Sequence, residues 1–387
     1  LYFWPPEPTQ PGDICVSVLS NLVTITNAGH LVLHGLVFEM SRDLAVSVRD
    51  GEAVRIAACT VRNCGGDAIS VSGEKAHTVF GCDIYQMGGG GISLSGGNRE
   101  TLTPAGHLAE NNHIYDYGRW YRMYRSGINL QGVGNRAAHN HIHNAPHIGI
   151  NFGGNDHCIE FNELHHVCLE SNDAGAMYTG RNWTMRGNII RYNYLHEILG
   201  YLEKGCVGVY LDDMFSSADI IGNVFYKVTR AAFIGGGRDC SVVNNIFVDC
   251  DPALHVDARA LGWAHYHADE WIEEGTTIGT LSGIRYKEPP YSDRYPKLVG
   301  ILEDEPKAPK GNLIARNICV GGKWDGMEPL AKEYLTFENN LIDEDPHFVD
   351  RARRDFRLKD DSPAFDFGFE AIPMDRIGLY EHPDRAR

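Results

Sequence analysis

One short phrase, an asparagine followed by any residue and then an apolar one, returns along this chain at Asn112, Asn140, Asn162, Asn193, Asn223, Asn245, Asn317 and Asn340. Cys59-Thr-Val and Cys82-Asp-Ile fill the same slot earlier. The shorter intervals are 22 or 23 residues and the longer ones 28–31. A fixed period with residues added in some turns is the mark of a solenoid. A second phrase follows each of the first: Ala68-Ile-Ser-Val, Gly91-Ile-Ser-Leu, Gly127-Ile-Asn-Leu, Gly149-Ile-Asn-Phe, Gly175-Ala-Met-Tyr, Gly208-Val-Tyr-Leu, Ala231-Ala-Phe-Ile and Ala253-Leu-His-Val. Each is short, mostly alternating and bounded by glycine or polar residues, so each reads as a strand.

Two or three such strands per coil, with no helical period between them, exclude a βαβ barrel. The expected fold is all-β, a right-handed parallel β-helix of the pectate-lyase-like kind with an irregular C-terminal cap. Length alone, 387 residues, would suggest two or three domains, but in a solenoid length sets the number of coils. Glycine is frequent, 43 residues in all, which fits many tight corners. Residues 1–260 are read as coils. The pattern then breaks over residues 261–310, which carry Trp263, Trp271 and a Pro289-Pro290 pair. Long excursions of this kind are usually covers or partner surfaces. Residues 311–387 are read as the last coils and a cap on the open end, which an unpaired edge needs.

Stacked coils place equivalent residues about 4.8 Å apart, so like residues form ladders. The recurring asparagine is expected to bond along its ladder and to take the left-handed turn conformation. Three positions on, Tyr115, His143, His165, His196 and Tyr226 form an aromatic column, read as stacked turn residues rather than metal ligands. The ten cysteines include no CxxC pair and are read as small buried hydrophobes. No metal and no cofactor are expected.

The net charge of −16 repels phosphate backbones, which argues against nucleic acid as a partner. No apolar run is long enough for a membrane helix. The chain opens at Leu1, and Leu1–Pro6 lacks the layout of a signal peptide; it reads as the interior of a longer protein.

Alternation in the second phrase puts Ile150, Ala176, Val209, Ala232 and Leu254 inward. Asn151, Met177, Tyr210, Phe233 and His255 then face outward, followed by Gly153, Thr179, Asp212, Gly235 and Asp257. Charged and aromatic residues gather on the late coils: Tyr178, Tyr210, Asp212, Asp213, His255 and Asp257, with Arg181 and Arg238 just after the strands. Glu170 and Asp173 stand just before one strand and His147 before another; Trp120, Tyr121 and Tyr124 lie in an insertion before Gly127. Aromatic rings stack on sugar faces and arginine bonds hydroxyls or carboxylates. Glycoside hydrolysis needs two carboxyl groups straddling the scissile bond. Asp173 on one coil and Asp212 or Asp213 on the next supply such a pair, and the sequence leaves open which of the last two acts. Read as structure alone, Asp212-Asp213 would cap a turn and Asp173 would form a local Asx turn.

Ser171-Asn-Asp-Ala-Gly-Ala-Met-Tyr-Thr-Gly-Arg181, Tyr210-Leu-Asp-Asp213, Gly235-Gly-Gly-Arg-Asp239 and Asn244-Asn-Ile-Phe-Val-Asp-Cys250 together resemble β-helix proteins of glycoside hydrolase family 141. The likeness runs from the Leu1–Pro6 strip to the Ser362-Pro-Ala phrase, over a chain shorter at its N-terminus than the family's members. It implies a hydrolase of plant-type or complex polysaccharides, with fucosidase- or xylanase-like activity, secreted or periplasmic. It also implies that Asp173 and one of Asp212 and Asp213 are the catalytic carboxyls. Arg181, Arg238, Tyr178, Tyr210, His255, Asp257, Glu170, His147 and Trp120 would then contact an oligo- or polysaccharide. Two other readings stand beside this one: a polysaccharide lyase on the same fold, using a basic residue and bound calcium, and a glycan-binding solenoid without chemistry.

Overall fold

The computed structural model describes residues 7, 8, 10, 14–273, 281 and 283–386. The Leu1–Pro6 strip and part of the 261–310 excursion lie outside them.

Every third strand belongs to the same sheet, and the chain climbs by one strand in each sheet per coil. The result is a parallel β-helix of three sheets with ten, eleven and eleven strands among the described residues. The first sheet runs from Val23–Thr26 to Leu254–Asp257, the second from Val32–His34 to Leu335–Glu338, and the third from Val37–Glu39 to Leu341–Ile342. Strands of two to six residues suffice because each, apart from those at the ends of the sheets, is hydrogen-bonded on both sides. One inward row of the first sheet is Ile69, Ile92, Ile128, Ile150, Met177, Val209, Ala232 and Leu254, paired coil to coil. All are buried in a single core that extends along the axis.

The asparagine ladder forms as expected. Each backbone N–H donates to the side-chain oxygen of the next coil's asparagine: Asn112 to Asn140 Oδ1 at 3.0 Å, Asn140 to Asn162 at 3.0 Å, Asn162 to Asn193 at 2.9 Å, and so on to Asn340. The side-chain amides also donate to carbonyls inside the coil, as Asn162 does to Ala137 and Glu160. Interior backbone groups that the corner leaves without a strand partner are thereby satisfied. The left-handed conformation belongs, however, to the residue before each ladder asparagine. Asn111, His139, Phe161, Tyr192, Gly222, Asn244 and Arg316 have φ between 51° and 65°, so the corner bends one position earlier than expected.

A second ladder, not anticipated, runs along the corner between the first and second sheets and mixes histidine with asparagine. The Val54 N–H donates to His77 Nδ1, His77 to His107 Nδ1, His107 to Asn135 Oδ1, Asn135 to His157 Nδ1, and His157 to Asn188 Oδ1, all at 3.1 Å. A neutral imidazole nitrogen and an amide oxygen are interchangeable acceptors here. The aromatic column on the third sheet forms as read: Tyr115 stacks on His143, His143 on His165 and His165 on His196, with centroids 5.2, 4.7 and 4.7 Å apart. All ten cysteines are free and most are buried.

The excursion leaves the last strand of the first sheet and folds into short helices, His265–Ile272, Tyr291–Arg294 and Pro296–Val299. Trp271, Tyr291, Tyr295 and Leu298 pack on Trp183 and Met214, so it covers the corner of earlier coils. The irregular C-terminal segment does more than close an end. After the hairpin of Phe348–Asp350 and Asp355–Leu358, it runs back along the corner between the second and third sheets. Its backbone bonds Asn244 through Glu370, Phe161 through Gly378, Asn111 through Tyr380 and Gly81 through Ala386.

Candidate functional site

The outward face of the first sheet is polar at one end and aromatic at the other. Early coils carry an amide and hydroxyl ladder in which Asn151 donates to Asn129 Oδ1 at 2.8 Å and Asn129 to Ser93 Oγ at 3.2 Å. These residues, with Asp67, Tyr124, Arg125 and Tyr178, line a groove of about 230 Å³. Later coils continue the same row as Tyr178, Tyr210, Phe233 and His255. Tyr178 meets Tyr210 edge-on at 5.5 Å, Tyr210 stacks on Phe233 at 4.8 Å, and Phe233 contacts His255 at 4.1 Å.

Here the register differs from expectation by one residue on one strand. Met177, not Ala176, pairs with Ile150 and Val209 and is buried; Thr179 also points inward, opposite Leu211. Tyr178 and Gly180 therefore face outward, beside Tyr210 and Asp212. The two glycines of the matching phrases suggested that Gly175 aligns with Gly208, but Gly175 pairs with Val207, so the strand starts one residue earlier than its neighbour's phrase implies.

At the C-terminal edge of these strands, three carboxylates converge on one buried guanidinium. Arg259 Nη1 donates to Asp212 Oδ1 at 2.6 Å and to Asp213 Oδ1 at 2.8 Å, while Nη2 donates to Asp257 Oδ2 at 2.8 Å. Arg181 donates to the other oxygen of Asp213 at 2.7 Å, and the Tyr178 hydroxyl donates to Asp212 Oδ2 at 2.9 Å. The rings of Phe233 and Trp263 flank the Arg259 guanidinium. Burial opposes the charged form of Asp213, yet hydrogen bonds from Arg259 and Arg181 outweigh it and lower its pKa. Burial likewise opposes the Arg259 cation, and its bonds to Asp257 and Asp213 hold it firmly protonated. Burial and then the Asp212 charge push the Tyr178 and Tyr210 phenols up, so both remain protonated donors. His255 is lowered to about 4 by burial, with the Arg230 charge second, and is neutral near pH 7.

At the opposite edge, the turn into the strand Gly175–Gly180 presents Asp173 to solvent. Among the described residues Asp173 makes no salt bridge, but its charge is felt by Tyr210 and by His147. Burial lowers the pKa of His147, which packs under Tyr124 at 5.3 Å. Gly175 pairs with Val207 and Gly180 with Asp212. The start of the strand is folded in over Tyr210, because a Cβ added to Gly175 would stand 2.8 Å from the Tyr210 Cβ. Asp173 and Asp212 do sit on adjacent coils, but at opposite ends of them, with the Tyr210 phenol in between.

Three expected site residues lie elsewhere. Arg238 is not equivalent to Arg181: it is buried at the corner beyond the strand, beside Asp239, and donates to the Asp304 carbonyl at 2.9 Å. It anchors the excursion, because its strand ends three residues earlier, at Gly235. Trp120 is 71% exposed and borders a separate depression with Ser41, Arg42 and Gly65. Glu170 is paired with Arg122 on the turn side, away from the aromatic row. Sequence reasoning missed Arg259. Its one signal is local: Asp257-Ala-Arg259 sets a cation two residues after a carboxylate at the end of a strand.

Residues 20–122 and 126–267 match the family described as right handed beta helix region. No curated protein matches the sequence. Among solved structures, the chain is similar to one titled "Glycoside hydrolase", at 11% identity and a TM-score of 0.35 over 87% of this chain and 40% of that one. It is also similar to one titled "The complex structure of XylC with xylose", at 14% identity and a TM-score of 0.39 over 79% of this chain and 53% of that one. The chain thus spans about half or less of the length of each. With well over half its residues in the family match and three continuous parallel sheets, the chain belongs to the right-handed β-helix family.

Proposed function

We propose that this protein is a carbohydrate-active enzyme, a glycoside hydrolase that binds a polysaccharide across the outward face of its first sheet. The observation that carries the reading is the arrangement around Tyr210. An aromatic row suited to sugar faces is bordered at one edge by Asp173 and at the other by Asp212, with the Tyr210 phenol sensing both charges. Asp173 supplies the proton to the leaving oxygen, and Asp212 acts from the other side of the sugar ring. The Arg259 and Tyr178 bonds fix Asp212 as an acceptor. Asp213 and Asp257 position Arg259, and Arg181 offers a cation at the rim. The amide ladder of Asn129 and Asn151 extends the binding face toward earlier coils. The resemblance to glycoside hydrolase family 141 supports the same class and suggests plant-type glycans.

The test is the class of product released from a panel of plant and host polysaccharides. New reducing ends, with no ultraviolet-absorbing unsaturated sugar and no loss on chelation, support hydrolysis. Unsaturated products that need calcium indicate a lyase, and retention on a glycan column without products indicates a binding module; either result removes the hydrolase.

A further inference from the structure

The third sheet, on a different side of the helix from the aromatic row, carries a cluster of imidazoles that the proposed hydrolysis does not use. His141 and His143 lie on one strand two residues apart, so both face outward, and His113 stands opposite His141 on the adjacent strand. The three offer ring nitrogens within 4.8 Å of one another. His113 Nε2 and His143 Nε2 are 2.8 Å apart, and His141 Nε2 is 2.9 Å from His165 Nε2. Each such nitrogen pair holds one proton between two lone-pair sites, so part of the donor capacity is already aimed at a common point. The carboxylate of Glu163 follows in the His113–His141 row, and His196 Nε2 lies 3.2 Å from it. Of the three, the sequence reading weighed only His143, as a stacked turn residue; His113 and His141 lie outside the column it described and join it through the stacking of coils.

We infer that His113, His141 and His143 form a binding site for a borderline divalent transition-metal ion, such as zinc, nickel or copper, that pins adjacent coils together. Imidazole suits these ions. Two histidines alternating on a strand with a third from the neighbouring strand leave room for a fourth ligand, a water or Glu163. Binding moves the shared proton of His113 and His143 off Nε2, to Nδ1 or to solvent.

The experiment titrates zinc or nickel alone into chelator-stripped, untagged protein by calorimetry, and adds copper(II) for electron paramagnetic resonance. The expected result is saturable binding of one equivalent, a higher melting temperature, and a copper spectrum split by coordinated nitrogens. His143→Tyr should abolish binding while keeping the fold, because tyrosine already occupies the same column at Tyr85 and Tyr115; His141→Gln should do the same, and exposed His30→Gln should change nothing. No saturable binding to the parent protein, a copper spectrum without nitrogen splitting, or undiminished binding by folded His143→Tyr would each overturn the site. None of these readouts depends on hydrolysis, so failure here leaves the activity reading intact, and the reverse.

Discussion

Gly235 lies directly beneath the guanidinium of Arg259: a Cβ added to Gly235 would stand 2.6 Å from Arg259 Cζ. The guanidinium cannot swing aside, because bonds to Asp212, Asp213 and Asp257 hold it on several sides. Gly235→Ala is expected to destabilise the protein by about 2 kcal/mol, the usual scale of overpacking. It should also lower turnover by displacing Asp212. Chemical denaturation and steady-state kinetics on one preparation check both.

Arg259 is the single cation shared by three carboxylates. Arg259→Met leaves buried Asp257 without its cation and Asp213 with Arg181 alone, and breaking a buried pair costs about 3–5 kcal/mol. Asp213, whose pKa Arg259 helps to lower, should then titrate higher. The sign follows from linkage: a depressed carboxyl contributes stability above its unfolded pKa of about 3.9 and loses it as pH falls through the folded value. The parent should therefore keep this contribution to lower pH than Arg259→Met does. Melting temperatures between pH 3 and pH 7 would reveal the difference.

The mixed ladder predicts acid sensitivity of a different origin. Burial holds His157 at about 4, whereas an unfolded histidine titrates near 6.5. The unfolded chain then binds more protons between those values, so stability is full above about pH 6.5 and declines as pH falls toward 4, by about 3 kcal/mol for this residue. His157→Asn keeps the ladder acceptor, as Asn135 and Asn188 show on either side. It should flatten stability across that interval. Urea midpoints at pH 4.5 and pH 7 give the answer; an unchanged slope would mean that His157 is not the titrating group.

Asn162 donates to Ala137, Glu160 and Asn193 and accepts from Asn140. Asn162→Leu strands these buried groups at about 1–3 kcal/mol each and is expected to unfold the central coils before the ends. Hydrogen exchange read coil by coil would show protection lost around that residue first.

The coil period, the strand phrases and the inward rows were legible because ladders repeat one residue type at one position. Where a ladder changes chemistry, legibility failed. His77, His107 and His157 serve as asparagines in all but name, so no single letter marked their row. Register failed at Gly175-Ala-Met-Tyr because glycine there does not pair with Gly208. Arg238 was placed by counting from a strand that ends early, and Arg259 was overlooked because its partners, Asp212 and Asp213, belong to a coil two turns away. Asp212 and Asp213 stood out as two adjacent acids in an apolar phrase, and the structure gathers both on Arg259.

The turnover number of Asp212→Asn and Asp173→Asn, on a glycan that the parent cleaves, bears most directly on the whole account. Each should fall by about 100- to 10,000-fold while melting temperature changes little in Asp173→Asn, whose exposed side chain makes no salt bridge among the described residues. Parent-like turnover in either variant would mean that the stack of coils brings these two residues to one face for some purpose other than cleaving a glycosidic bond.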